Sequence, residues 1–231
     1  MTRLLVLTIV TLGAASTMFS CAVGKLVGGM MQNYEYTKQV VTYPAYQDLE
    51  NKSVAVIVDV DMVTLYEHPD VAVSIAANVS RRLAKNVPGI KVVPSALVIQ
   101  WQFRTPQWNA MPYGEVAQRL NVDRIVHIDV HEFRLHPPGN QWLWDGLCGA
   151  NVGIIERDGY DPDSYVDTFN VTVAFPDMQG VTRENASAQG VQRGLLTLFT
   201  RKTSWLFFTH LEPKFPDQYN GPIEEGRYDG K

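Results

Sequence analysis

One segment, Ser53 to Val60, restricts the fold more than any other part of this chain. Its sequence, SVAVIVDV, is a nearly continuous run of β-branched residues. A strand exposed on one face alternates apolar and polar side chains, whereas a strand covered on both faces is an almost unbroken apolar run. The segment therefore predicts a central strand with other elements packed on both faces of its sheet, which is an α/β architecture.

Helical periodicity follows this strand. From Val71 to Val87, apolar residues recur at spacings of three and four, which places them on one helix face, and Pro88-Gly89 ends that helix. A second helix is expected around Ala96 to Trp101 and a third over Tyr113 to Leu120. The last helix is expected over Val191 to Leu211.

The other apolar segments predict a mixed sheet. Ile90 to Val93 and Asp123 to His136 follow helices, so they should pair parallel to the first strand through right-handed crossovers. Leu147 to Arg157 and Val166 to Phe175 are joined by a turn-rich segment, Asp158 to Pro162, which is typical of an antiparallel hairpin. We therefore expect an α/β fold with a mixed sheet of about five strands, parallel in the first half and antiparallel in the second, covered by about four helices.

The amino terminus has the three-part layout of a secretory signal. Arg3 supplies the positive region, an apolar run extends from Leu4 to Ala15, and small residues lead to Ser20 and Cys21. The run is shorter than the roughly 20 residues that a membrane span needs. Lipoprotein signal peptidases require a small residue before the cysteine, so residues 1–20 are predicted to be a signal peptide and Cys21 the lipidated residue. An ordinary cleaved signal and an uncleaved anchor are the alternatives.

The remaining chain divides into three parts. Residues 21–52, with several glycines and tyrosines, are predicted to be a lipidated tether, and residues 53–211 the periplasmic α/β domain. Residues 212–231 are dominated by proline, glycine and charge, which predicts a disordered tail. If Cys21 carries lipid, Cys148 is the only thiol, so no disulfide can hold the fold together. We expect Cys148 to act as a small buried hydrophobe.

The charge distribution argues against a nucleic-acid partner. The formal net charge is −4, and the lysines and arginines are scattered along the chain. A protein that binds nucleic acid through its phosphates shows a basic patch. We therefore expect no nucleic acid among the partners.

The sharpest cluster of chemically active side chains is His127, Asp129 and His131, which alternate with apolar residues along one predicted strand. Two imidazoles and a carboxylate could bind a metal ion. Same-face residues of a strand lie about 7 Å apart, which is too far for one ion to gather all three, so a polar strand face is the preferred interpretation. The segment from His131 to His136 has one residue more between its histidines than the zinc-protease motif HExxH, and it lies on a predicted strand rather than a helix. We therefore do not identify it as that motif. Without a nucleotide-binding or nucleophile motif, we expect no cofactor and no enzymatic activity.

A loop rich in proline and glycine carries Trp142 and Trp144. If these rings are exposed, they form an aromatic contact patch for a partner or ligand; if they fold back, they cover the sheet. Trp205, Phe207 and Phe208 at the last helix raise the same question, and core packing is the expectation there.

Three segments together resemble a known family: SVAVIVDV, GIKVVPS from Gly89, and YGEVAQRLNVDRIVHIDVHEF from Tyr113. The short helix that leads through Asn121 into a strand is similar to the periplasmic α/β domain of curli-secretion-type lipoproteins. The same α/β domain forms the amino-terminal part of the Tol translocation protein and occurs in related envelope lipoproteins. The resemblance spans roughly residues 53–210. It implies a non-enzymatic, lipid-anchored module that assembles with itself or with an envelope transport apparatus.

The expected function is therefore that of a lipid-anchored periplasmic assembly or transport-accessory protein. Its expected partners are the membrane, through the lipid, and itself or envelope transport proteins. Ala22 after the cysteine, rather than aspartate, favours the outer membrane. Two alternatives stay open: a lipoprotein that binds a small molecule or glycan through Trp142 and Trp144, and a metal-dependent envelope hydrolase that uses the His-Asp-His strand face.

Overall fold

The computed structural model describes residues 36–178, 180–219 and 221–230. The predicted signal peptide and the predicted lipidation site, Cys21, lie outside the described residues. The strands are β1 (Gln39–Thr42), β2 (Ser53–Val60), β3 (Lys91–Val92), β4 (Arg124–Arg134), β5 (Gly146–Glu156), β6 (Asp167–Phe175) and β7 (His210–Pro213). The α-helices are α1 (Met62–Glu67), α2 (Val71–Asn86), α3 (Ser95–Arg104), α4 (Tyr113–Leu120) and α5 (Ala188–Trp205).

The chain divides into two compact units, and the larger one is built on a five-stranded sheet. The strand order is β3-β2-β4-β5-β6. β2 pairs parallel with β3 and β4, whereas β4 pairs antiparallel with β5 and β5 with β6. The predicted mixed sheet, parallel in its first half and antiparallel in its second, is confirmed.

Helices cover both faces of β2, whose residues 54–58 are all buried. Ala55 and Ile57 point into a cluster with Val98 of α3 and Val116 of α4. On the opposite face, α2 and α5 contact each other, and α2 packs on β2 while α5 packs on β5 and β6. Cys148 is fully buried in β5, as expected of a small hydrophobe, and burial raises the pKa of its thiol.

The two ends of the sheet differ in chemistry. At the amino edge, where β2 and β4 begin, the Arg124 guanidinium is 2% exposed and is held by Asp48 at 2.5 Å, by Glu156 at 3.6 Å and by Asp158. The Tyr46 hydroxyl donates to Glu156 at 2.6 Å. The hydrogen bond from Arg124 lowers the pKa of Asp158. Charge is therefore compensated at the amino edge. We call the opposite end, where β2 and β4 finish, the carboxyl edge.

Helix α1 lies at the carboxyl edge and is not predicted by the sequence patterns. It has six residues, too few for a periodic apolar face. The Asp61 side chain caps it by accepting a hydrogen bond of 2.6 Å from the backbone N–H of Thr64.

Helix α5 starts three residues before the predicted Val191 and ends at Trp205, before the predicted Leu211. Its start is fixed by the Ser187 hydroxyl, which accepts from the backbone N–H of Gly190 at 3.2 Å. The side chains at its end, Trp205, Phe207 and Phe208, are all buried, which confirms the expected core packing.

The described residues of the smaller unit are 36–42, 211–219 and 221–224. In its described part, β1 and β7 form a two-stranded sheet, and the backbone N–H of Lys214 donates to the Lys38 carbonyl at 2.9 Å. A 3₁₀ turn follows at Pro216–Gln218.

Segments predicted to be a tether and a tail thus contain regular structure. In residues 21–52, β1 forms a strand, and Tyr46 and Leu49 are buried in the larger unit. In residues 212–231, strand β7 continues to Pro213, and the backbone N–H of Arg227 donates to the Asn86 side chain at 3.0 Å. Composition predicted disorder for the second segment because it is poor in apolar side chains, but these contacts use backbone groups. No helix in the described ranges is long and apolar enough to cross a membrane.

Candidate functional site

The topology opens a crevice at the carboxyl edge. From β2 the chain passes through α1 and α2 to β3 on one side, and then through α3 and α4 to β4 on the other. Helix α2 packs on one face of β2 and α3 on the other, and the Gln102 side chain near the end of α3 donates to the Val58 carbonyl at 3.4 Å. The two helices therefore flank the carboxyl end of β2, and ligands of α/β proteins bind beyond the carboxyl ends of strands.

A cavity of about 300 Å³ occupies this crevice. Its walls are mostly apolar, and among the described residues that line it, Asp59 is the one with a charge. The lining comes from the end of β2, from α1, α2 and α3, and from the loop after α3: Val58, Asp59, Val60, Leu65, Pro69, Ala72, Val73, Ala76, Ile99, Gln102, Phe103, Pro106 and Trp108.

Asp59 is half-buried at the end of β2. One carboxylate oxygen accepts a hydrogen bond of 3.0 Å from the backbone N–H of Val60, and no lysine or arginine in the described ranges pairs with the group. Asp129 lies directly opposite on β4 in the parallel register. Like charges facing each other across a sheet are unfavourable, so this pair is a source of uncompensated negative charge beside the cavity.

Large apolar side chains at the carboxyl edge face solvent, on α1 directly after β2 and on helices that line the cavity. Tyr66 is 89% exposed, Phe103 81% and Met62 79%. Single exposed apolar residues are ordinary, but a group of them is characteristic of an interaction site. We call this group the carboxyl-edge patch: Met62, Val63, Leu65, Tyr66, Val73 and Phe103.

An aromatic cluster adjoins the cavity through Trp108, whose ring packs edge-on against His127 with centroids 6.0 Å apart. The Nδ1 atom of His127 lies 2.6 Å from the Tyr165 hydroxyl, which also bonds the Tyr113 hydroxyl at 2.7 Å. The Tyr165 ring covers Gly153 so closely that an added Cβ would lie 2.4 Å from it. Glycine at this position therefore allows the ring to lie flat on the sheet.

His127 is enclosed by these rings and only 7% exposed. Burial lowers the pKa of His127, although the negative charges of Asp59 and Asp129 act in the opposite direction. Its Nε2 atom is buried without a hydrogen-bond partner in the described part of the chain. The imidazole is therefore neutral at pH 7 and does not supply the positive charge that Asp59 lacks.

The three residues predicted as metal candidates do not converge. His127 is buried, whereas Asp129 and His131 are exposed. A β-bulge between Val130 and Glu132 shifts the register of β4 against β5 at His131. In the described ranges, no three His, Cys, Asp or Glu side chains form a group that could hold a metal ion.

The two loop tryptophans, predicted as a pair of contact candidates, have opposite environments. Trp144 is 6% exposed, stacks on His136 with centroids 4.4 Å apart, and donates from Nε1 to the Ala186 carbonyl at 3.0 Å. Trp142 is 76% exposed. Trp144 therefore belongs to the core, and Trp142 alone is available for contact.

Sequence reasoning missed Asp59, the cavity and α1. Asp59 stands inside the apolar run SVAVIVDV, where it looks like an ordinary interruption near the end of a strand. The usable signal was its position at the carboxyl end of the first parallel strand, next to the place where the strand order reverses.

No protein-family model and no curated protein matches the chain. Several solved structures are similar at low identity. The PelC dodecamer from Paraburkholderia phytofirmans is 16% identical with a TM-score of 0.42, covering 73% of this chain and 97% of that one. Lipoprotein GNA1162 from Neisseria meningitidis is 15% identical with a TM-score of 0.42, covering 66% and 97%. The hypothetical protein CT253 from Chlamydia trachomatis is 11% identical with a TM-score of 0.40, covering 66% and 95%.

The loop tryptophans give a matched pair of stability predictions. Trp144→Ala should lower the free energy of unfolding by about 3–5 kcal/mol, because it removes a buried ring and leaves a cavity. Trp142→Ala should change it by less than about 0.5 kcal/mol, because the ring is exposed. Urea denaturation of both variants measures the difference; equal costs would contradict the assignment.

His127 predicts a pH dependence of stability. Because the pKa of His127 in the folded protein lies below the ordinary value of 6.5, its full contribution to the free energy of unfolding is present above about pH 6.5. That contribution is lost as the pH falls through the folded pKa. His127→Gln should flatten the loss of unfolding free energy in this pH window. His131→Gln, a substitution of an exposed residue on the same strand, should leave the dependence of the free energy of unfolding on pH as it is in the wild type. The same dependence in all three proteins would refute the prediction.

Proposed function

We propose that this protein is a lipid-anchored accessory protein of the bacterial envelope that docks a partner protein through the carboxyl-edge patch and catalyses no reaction. The observation that carries the proposal is the patch itself. Met62, Tyr66 and Phe103 are each more than three-quarters exposed, and Phe103 also lines the cavity. Removing such side chains from water on binding is the main favourable contribution to most protein association.

The anchoring half of the proposal is supported by the amino-terminal sequence. The positive region, the short apolar run and Ser20 before Cys21 form a lipoprotein-type signal. The resemblance to curli-secretion-type lipoproteins and the Tol translocation protein points to the same compartment. A partner in the envelope would then meet this protein at a membrane surface.

The position of the patch favours a protein partner over the lipid bilayer. Within the larger unit, the chain enters through Tyr46 and Asp48, which lie at the amino edge beside Arg124. The eight residues of β2 separate that edge from the patch by roughly 26 Å. The patch is therefore at the far end of the domain from the point where the chain enters it.

The proposal includes no catalytic step because the patch is apolar and the nearest histidine is turned inward. His127 bonds Tyr165 beneath a cover of aromatic rings. The other candidate ligands, Asp129 and His131, are exposed, whereas His127 is buried. A bulge in β4 also shifts the strand register at His131.

In-cell cross-linking of the tagged, full-length protein, followed by gentle membrane extraction and mass analysis, tests the docking claim. We expect a defined envelope protein, or a second copy of this chain, to be recovered with the wild type. Phe103→Asp should reduce that recovery about tenfold, because a charge would be buried in an apolar contact. Tyr160→Asp is the matched control, since Tyr160 is a fully exposed aromatic residue in the turn between β5 and β6. Unchanged recovery with Phe103→Asp would contradict the proposal.

The anchoring claim is tested in the same cells by labelling with a fatty-acid analogue. The wild type and Cys148→Ala should incorporate the label, whereas Cys21→Ala should not. Label retained in Cys21→Ala, or absent from the wild type, would contradict it.

A further inference from the structure

We propose that the cavity at the carboxyl edge is a binding site for a small organic cation, an amine or ammonium group on a compact apolar body, with Asp59 as its counter-ion. Neither the lipid anchor nor a docked partner is needed for this binding, which depends on Asp59 and the cavity interior, although Val73 and Phe103 belong both to the cavity lining and to the carboxyl-edge patch.

The size and walls of the cavity suit a small molecule. Its volume of about 300 Å³ lies at the lower end of the range typical of ligand pockets. Val73 of α2 and Ile99 of α3 supply apolar walls. Gln102 supplies one amide, whose nitrogen donates to the Val58 carbonyl at 3.4 Å and whose oxygen can accept from a ligand. An apolar lining with one or two well-placed polar groups is the usual composition of such sites.

The charge of the site calls for a cation. Asp59 lines the cavity, and the hydrogen bond described for its carboxylate, from the Val60 N–H, engages one of its two oxygens. Asp129 stands in register beside it and adds negative charge, while Asp61 is already engaged as the cap of α1. A positive group next to Asp59 would be attracted by both of these carboxylates, which stand in register on neighbouring strands. Because Asp59 is half-buried beside apolar walls, this attraction is screened less than it would be in bulk water.

The walls also decide which kind of cation fits. A metal ion needs several oxygen or nitrogen ligands, and the described residues provide no group of three such side chains. Trp108 and Phe103 instead present aromatic rings, whose faces attract ammonium groups. The ligand must therefore carry its own apolar body into the cavity, as an alkyl or aryl amine does.

Three probes of one shape separate charge from shape: phenethylamine, phenethyl alcohol and phenylacetate. Titration of the isotope-labelled protein at pH 7, followed by the indole N–H resonance of Trp108, gives each dissociation constant. We expect phenethylamine to bind at least about tenfold more tightly than phenethyl alcohol, as a charge-assisted contact would produce. Phenylacetate should cause no shift. Equal binding of amine and alcohol, or no response to the amine at millimolar concentration, would overturn the proposal.

Matched variants locate the interaction. Asp59→Asn should weaken the binding of phenethylamine about tenfold while leaving the binding of phenethyl alcohol unchanged. Asp129→Asn, a neighbouring carboxylate that does not line the cavity, should weaken the amine less than about threefold. Ala72→Phe fills the cavity and should abolish binding of both, with thermal melting showing that the variant is folded. Amine binding that survives Asp59→Asn unchanged would refute the assignment, and it would leave the docking proposal untouched because that proposal is read from cross-linking.

Discussion

The burial of β2 on both faces is the constraint on which the rest of the structure depends. Its residues 54–58 are removed from water, so the sheet requires helices on each side. The chain meets this requirement by passing along one face to β3 and along the other to β4. The carboxyl end of β2 lies between these two layers of helices, and the cavity, Asp59 and the carboxyl-edge patch all lie there. The candidate site is thus a geometric consequence of the core.

The two edges of the sheet have opposite electrostatic character. At the amino edge, Arg124 is buried among carboxylates and a tyrosine, so each charge there has a partner. At the carboxyl edge, Asp59 and Asp129 face each other with no cation paired to them in the described ranges, and apolar rings stand in solvent. Unfavourable features of this kind persist where a binding partner relieves them. This asymmetry is the reason that we attribute structural stabilisation to the amino edge and propose recognition at the carboxyl edge.

The sequence predicted those elements whose side-chain pattern is long and regular. The apolar run of β2, the helix face from Val71 and the hairpin of β5 and β6 each repeat over many residues, so local sequence determines them. Helix α1 is too short for a pattern, and the bulge at His131 depends on pairing with β5. The different environments of Trp142 and Trp144 arise from contacts with residues far along the chain, such as Ala186. Tertiary contacts of this kind leave no periodic trace, which is also why the cavity could not be predicted.

We propose that the carboxyl edge is the recognition surface of this protein. The most direct measurement is site-specific photo-cross-linking in cells, with a photoreactive phenylalanine analogue placed at Phe103 or, separately, at Tyr160. Both positions are highly exposed aromatic residues, but they lie at opposite edges of the sheet. We expect a discrete cross-linked product from Phe103 and none from Tyr160. A product from Tyr160 alone, or the same product from both positions, would contradict it.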